Sequence, residues 1–428
     1  MTESSAPVRS AIEYDPFSPV WRPDPYAKYR ELRDEAPVFY SSEANIWCIS
    51  RYEDVLTVLK DTERFSSKAM MTMLMRRGQE EPPSITLTGL RFVARMLWRT
   101  RLLPGGFINS RSLISEDGDE HSSLRNIVNR GFTPRHISSW EPRVREIAEE
   151  SVATLRAGEP FELVEQLSVP LPVTLICEVL GIESEKRADF KHWSDQVVKN
   201  ISTTEGREGI LNPVMLDVFV EMVSYLRRIC RERRKAPSDD LISTIVTGDE
   251  SLNDYEVVQF VMLLLIAGNE TTTNLIGNAV NALLDHPDQL AKLAADPSLI
   301  EAAIDEALRF DSPVQLVFRN TTCDVEMHGI TIPKGATVAP LLGSANRDER
   351  EFPDADRFDI ERRPRSHFGF GFGKHFCLGS SLARLEARSA LEVLLPELPK
   401  LERSGGEREW IDSFLVRGPR KLLLQRAD

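Results

Sequence analysis

The stretch best suited to chemistry is "FGFGFGKHFCLGSSLARLEA", Phe368 to Ala387. Three glycines in six residues are costly to order, so the backbone there must bend sharply or let a ligand come close. Downstream, Leu382, Leu385, Ala390, Leu391 and Leu394 recur near helical spacing, which sets Cys377 at a helix N-terminus. Unpaired N–H groups and the positive end of a helix dipole favour thiolate over thiol at such a position. A glycine-rich loop presenting a thiolate suits a large, flat ligand lying against the backbone.

A second reactive pattern interrupts an apolar run at "AGNETTT", Ala267 to Thr273. Leu263, Ala267, Glu270 and Thr271 follow i, i+4, i+7, i+8 and share one helical face. A glycine, an acid and three threonines all work against helix propensity in a buried segment. Two readings follow: a kink whose threonines bond back to carbonyls, or a notch where hydroxyl and carboxylate hand protons to a ligand. Glu306 and Arg309 in "EALR" stand at i, i+3; such pairs usually lie on the surface and contribute about a few tenths of a kcal/mol. His121 and Arg125 in "DEHSSLR" stand at i, i+4, solvated by default but able together to bind an anionic group.

These residues need a scaffold, and the pattern is mostly helical from about Asp119 to Phe310. Asn253 with Glu256 makes a capping box, and His286-Pro287 stops the same helix. It spans roughly 33 residues, or about 50 Å, enough to cross a whole domain. Strand-like segments are short: IWCIS near Ile46, then VQLVFRN, VEMHGITI and ATVAPLL between Val314 and Leu342. Pro333-Lys334-Gly335 reads as the hairpin turn between the last two. The fold class is therefore mainly α with small antiparallel β-sheets (α+β), as one domain over residues 1–428.

Lys68 to Phe107 differs from the rest, with Met70, Met71, Met73, Met75 and Met96 being half of the ten methionines. It also sets Arg91, Arg95 and Arg99 at four-residue spacing. Three readings suit it: a solvated basic helix packed on its apolar face, an adaptable lid, or a surface that touches membrane.

Net charge of −13 argues against general nucleic-acid binding. The five cysteines are scattered and include no CxxC pair, which fits a reducing compartment and excludes a disulfide framework or cysteine-only zinc site. The N-terminus lacks a signal pattern, and the longest apolar run, Val257 to Gly268, is too short to span a bilayer. The expectation is a soluble, cytoplasmic protein without a membrane anchor.

Together these motifs resemble the cytochromes P450, haem-thiolate monooxygenases, most closely the soluble bacterial type. The resemblance runs from about Asp15 to Lys421. Its core is F-x-x-G-x-x-x-C-x-G, here Phe370, Gly373, Cys377 and Gly379, with AGxET and ExxR upstream in the right order.

The resemblance implies haem b (iron protoporphyrin IX) with Cys377 as its axial metal ligand, and Phe370, Gly371, Gly379 and Ala267 around it. A thiolate trans to dioxygen favours O–O cleavage. His121, Arg125, Arg319 and His375 look like the groups that hold the propionates. Glu306, Arg309 and Arg357 resemble the structural ion-pair network. Glu270 and Thr271 match the catalytic acid–alcohol pair that delivers protons, and Asn269 between Gly268 and Glu270 is a mild departure that would bond into the same relay.

Substrate contacts are expected from Leu263, Ile266, Ala267, Gln315, Val317 and Phe414, for an apolar, steroid- or terpenoid-like molecule. Electrons would come from a separate ferredoxin and its reductase, docking near Lys374, Arg384 and Arg388. The competing readings are a peroxide-driven peroxygenase, which the Glu270–Thr271 pair disfavours, and a haem-thiolate binding or sensing protein without turnover. A haem-free cysteine nucleophile lacks an oriented base, since His375 has no evident acid partner in the sequence.

Overall fold

The structure, a computed structural model, describes residues 12–70, 87–202, 213–248, 250–364 and 366–427. Met71, Met73 and Met75 lie outside the described residues, as does the side chain of Ile266. Nine of the helices position the site. In chain order these are α1 (Tyr26–Glu35), α2 (Tyr52–Lys60), α3 (Leu87–Thr100), α4 (Gly118–Asn129) and α5 (Arg187–Ser202). Then come α6 (Pro213–Lys235), α7 (Asp254–Asp285), α8 (Ile300–Phe310) and α9 (Ser380–Leu394).

Helix α7 forms where its caps dictate. Asn253 accepts hydrogen bonds from the N–H groups of Tyr255 and Glu256 at 2.9 and 3.1 Å, and the Glu256 carboxylate accepts from Asn253 N–H at 3.0 Å. His286 closes the other end before Pro287. Its 32 residues span about 48 Å. Apolar residues occupy both flanks, with Val257, Val261, Leu265, Leu275, Ile276 and Val280 all buried in the largest core cluster. A helix that is apolar all round belongs inside the molecule, and α5, α6, α8 and α9 pack around this one.

The main sheet is smaller and of mixed sense. Strands β1 (Val38–Ser41), β2 (Ile46–Ile49), β3 (Phe65–Ser66), β5 (Arg319–Thr321) and β8 (Thr337–Pro340) run in the order β1-β2-β8-β5-β3. All its pairs are antiparallel except β2 with β8, which are parallel. This departs from the purely antiparallel expectation: the fully buried IWCI strand recruits a partner almost three hundred residues away, and no local pattern encodes that. A second sheet joins β4 (Phe161–Glu162), β10 (Leu423–Arg426) and β9 (Leu401–Arg403).

The expected hairpin also moves. It lies within VEMHGITI, where β6 (Val325–Met327) pairs with β7 (Ile330–Ile332) across His328-Gly329. Both turn residues have positive φ, 51° and 73°, the requirement of a two-residue hairpin turn that matches strand twist. Pro333 to Gly335 only leads the chain from β7 to β8.

The ion pair on α8 is not on the surface. Glu306 and Arg309 are both fully buried and joined by two hydrogen bonds, at 2.8 and 2.7 Å. Arg309 also donates to the carbonyls of Asn346, Ala355 and Arg357. Glu306 accepts further from Asp359 N–H at 2.9 Å and Arg362 Nε at 3.2 Å. The meander guanidinium that reaches Glu306 is therefore Arg362; Arg357 offers only its carbonyl and leaves its side chain exposed. All five Arg309 N–H groups donate and Glu306 accepts four hydrogen bonds, which makes the desolvated pair tolerable. Arg309→Leu leaves the buried Glu306 carboxylate with only Arg362 as a counter-charge, at a cost of about 3–5 kcal/mol. The expected result is little or no folded protein, read by the denaturation midpoint; a midpoint matching the parent contradicts the assignment.

Candidate active site

The cysteine loop is folded by its own backbone. Cys377 N–H donates to the Phe370 carbonyl at 2.9 Å and Gly371 N–H to the Phe368 carbonyl at 2.8 Å. Gly371 and Gly373 adopt φ of 70° and 71°, which only glycine reaches without strain. Behind the loop, Tyr52 stacks on Phe368 at 4.6 Å and Asn346 accepts from Phe368 N–H. Helix α9 starts three residues after the cysteine, as the apolar spacing implies. The thiol is half-buried; burial pushes it up, against the Gly379 N–H and the Arg125 guanidinium, which pull it down. The helix start alone therefore does not secure a thiolate.

Around this loop four nitrogen-bearing side chains converge. His121 and Arg125 lie on α4, Arg319 on β5, and His375 two residues before the cysteine. The His121 and His375 rings stand 4.2 Å apart, and Arg125 Nη1 donates to the Lys374 carbonyl at 3.4 Å. Burial, then the repulsion of His375 and Arg125, pushes His121 down to about 4. Burial pushes Arg319 down to about 10, with the charge of Asp117 as a partial offset. Asp117 itself, just before α4, is disfavoured as an anion by burial. Hydrogen bonds from His375, Ser66 and Ser67 more than compensate and hold it well below the usual carboxylate range. Two of the four side chains leave a buried nitrogen, His121 Nε2 and Arg319 Nε, without a hydrogen-bond partner.

Helix α7 contributes the accessible stripe. From Thr272 to Leu283 every residue is buried, yet Leu263, Ala267, Gly268, Glu270 and Thr271 are open in part or whole. The helix is not broken here, and Thr271 Oγ1 donates to the Ala267 carbonyl at 2.5 Å. The back-bonded threonine and the notch thus coexist. Asn269 faces elsewhere: its amide donates to Ser194 of α5 at 3.4 Å, so it ties two helices together.

Beside this stripe sits a residue that sequence reading passed over. Glu386 on α9 is buried against Thr272, and burial raises its carboxyl to about 8 despite the hydrogen bond from that threonine. Burial thus favours its protonated, neutral form. The signal was present, since Leu382, Leu385, Glu386 and Ser389 occupy one helical stripe.

Some expected substrate contacts are engaged elsewhere. Gln315 donates to the Ser312 carbonyl at 2.8 Å and accepts from the Tyr29 hydroxyl at 3.2 Å. Phe414 packs edge-on against Phe17 at 5.0 Å and against Phe318, inside the N-terminal core cluster. Val317 is partly buried between that cluster and the sheet. Of the cations expected near the cysteine, Arg384 pairs with Asp305 and Arg388 with Glu141, leaving Lys374 exposed.

Comparison with known proteins matches the Cytochrome P450 family model over residues 98–425. The chain belongs to the cytochrome P450 family. A vitamin D(3) 25-hydroxylase of Pseudonocardia autotrophica is 37% identical over 95% of this chain and 94% of its own. Among solved structures, cytochrome P450 CYP109Q5 from Chondromyces apiculatus is 38% identical with a TM-score of 0.81, covering 97% of this chain and 98% of its own. CYP109E1 from Bacillus megaterium, in complex with testosterone, is 34% identical with a TM-score of 0.79, covering 95% and 100%.

Members of this family are monooxygenases that carry haem b, and the residues present fit that group. The unsatisfied nitrogens of His121 and Arg319, with Arg125 and His375, would hold its two carboxylates. Gly379 has open space where a Cβ would stand, so a flat group can approach the backbone beside Cys377. When bound, haem supplies the redox iron at which dioxygen is activated.

Arg319→Leu removes one buried cation from the cradle. Haem transfer to apomyoglobin should then accelerate roughly ten-fold or more, given the strength of charge-assisted bonds; an unchanged rate contradicts the fit. Glu386 makes a second, pH-dependent expectation. Its unfolded form ionises near 4.5 while the folded form keeps its proton to about 8, so stability falls as pH rises between those values. Glu386→Gln should flatten that fall by about a few kcal/mol, seen in unfolding midpoints from acid to mildly alkaline pH. Parallel curves for parent and variant would sink the assignment.

Proposed function

We propose that this P450 uses Cys377 as the axial thiolate of haem b and hydroxylates a bulky, apolar, steroid- or terpenoid-like molecule. It does so as one domain over residues 1–428, with dioxygen and two electrons from a ferredoxin and its reductase. The observation that carries the reading is the open stripe on α7. Apolar Leu263 and Ala267 stand upstream of an acid and an alcohol, Glu270 and Thr271, on an otherwise buried helix. Substrate placed by shape against the first pair leaves the second to deliver protons. Thr271 holds its hydroxyl against the Ala267 carbonyl, which fixes it on that face.

The substrate class is supported by the likeness to the vitamin D(3) 25-hydroxylase and by the testosterone bound to CYP109E1. For the electron donor, the exposed Phe372, Lys374 and Phe376 form a cationic, apolar face on the cysteine loop. Lys374 is the cation on which docking depends, because Arg384 and Arg388 are spent on internal ion pairs. A cytoplasmic location fits the finding that no helix among the described residues is long and apolar enough to cross a membrane.

A ligand screen by haem absorption should give spin-state shifts with steroids and terpenoids. Shifts confined to small aromatics or polar acids would refute the substrate class. Thr271→Ala should keep haem but divert most NADH-derived electrons to hydrogen peroxide, lowering coupling several-fold. Coupling equal to the parent would remove Thr271 from the relay.

A further inference from the structure

Helix α3 has two apolar faces, and among the described residues only one is covered. Its inner face buries Met96 and sets Phe92 against Phe219 of α6 at 6.4 Å. The outer face carries Leu90, 56% exposed, Leu97, 41%, and Trp98, 81%, with Leu103 just beyond the helix at 54%. Leu90, Leu97 and Trp98 follow i, i+7, i+8 and so form one stripe. Exposed large apolar side chains are normal singly but informative when they line up.

The flank of this stripe is basic. Arg91, Arg95 and Arg99 run beside it at four-residue spacing; Arg95 pairs with Asp217 of α6, and the described residues of α3 include no acid. Arg99 also lines a groove of about 340 Å³ against α6, with Arg231 and Lys235. The groove's acid, Glu232, is occupied by Arg228, and Arg227 by Asp254. Arg99, Arg231 and Lys235 form no ion pair among the described residues. So dense a positive surface on a chain of net charge −13 marks a place where an anion is met.

We propose that α3 and the adjoining end of α6 dock this protein peripherally on an anionic lipid bilayer. Trp98, Leu97 and Leu90 enter the headgroup boundary, and Arg99, Arg231 and Lys235 engage lipid phosphates. An indole and aliphatic side chains that project from an arginine-flanked helix need depth to bury, which a bilayer surface provides. The screened, modest charge term and the buried apolar area act together, so loss of either weakens binding.

The test is flotation of the full-length holoprotein with vesicles of phosphatidylcholine and phosphatidylglycerol, three parts to one, and with pure phosphatidylcholine. Binding to the anionic vesicles should be about ten-fold tighter and weaken at high salt. The Leu97→Ser/Trp98→Ser double variant and the Arg99→Glu/Arg231→Glu double variant should each lower partitioning about ten-fold or more. Haem content and thermal midpoint should stay at parent values, since all four side chains are exposed. No preference for anionic vesicles, or variants that float like the parent, would overturn the proposal. So would a concentration-dependent dimer lost in the same variants, which assigns the face to a second copy. Because the haem site takes no part, failure here leaves the proposed chemistry standing.

Discussion

A guanidinium withdrawn from water without a carboxylate against it is the constraint on which this structure turns. Arg319 is buried on β5, its Nε has no partner, and the nearest anion, Asp117, is already committed to His375 and two serines. His121, Arg125 and His375 crowd the same place and repel one another. Such a cluster is costly by itself and becomes favourable only with a dianionic ligand between its members. The sheet that carries Arg319, the helix that carries His121 and Arg125, and the loop that carries His375 are all held independently.

The cysteine depends on the same ligand. Its position ahead of α9 supplies a favourable N–H from Gly379, yet burial outweighs that and raises the thiol. Metal ligation deprotonates a coordinating thiol outright, so the proposed thiolate would be a property of the assembled site rather than of the loop. Helix α7 packs against α9, the helix that follows the cysteine loop. Its caps and apolar flanks fix it through the core, which leaves the single open stripe rigidly placed. Glu386 of α9, against Thr272, has its carboxyl pushed up by burial on the helix that follows the cysteine loop.

How much of this was legible follows from how local each signal is. The limits of α7 were readable almost to the residue, because a capping box and a His-Pro stop are written within a few positions. The cysteine loop, the four cradle residues and the Glu306–Arg309 pair were likewise carried by short motifs. Identities fixed by long-range packing were not. Arg362 rather than Arg357 reaches Glu306, and nothing in the meander distinguishes two arginines five residues apart. Gln315 and Phe414 are drawn into a cluster with Tyr29 and Phe17, which the N-terminal segment forms by folding back over the sheet. The parallel pairing of β2 with β8 is invisible for the same reason. Glu386 is a different failure: its helical stripe was plain, and an acid within it deserved to be read as buried.

The most direct test is the absorption spectrum of the purified protein, reduced with dithionite under carbon monoxide. A strongly red-shifted Soret band, typical of thiolate ligation, is the expected result, and it should vanish in Cys377→Ser. A band at the position of histidine-ligated haem, or no haem after expression with ample iron, would contradict the account.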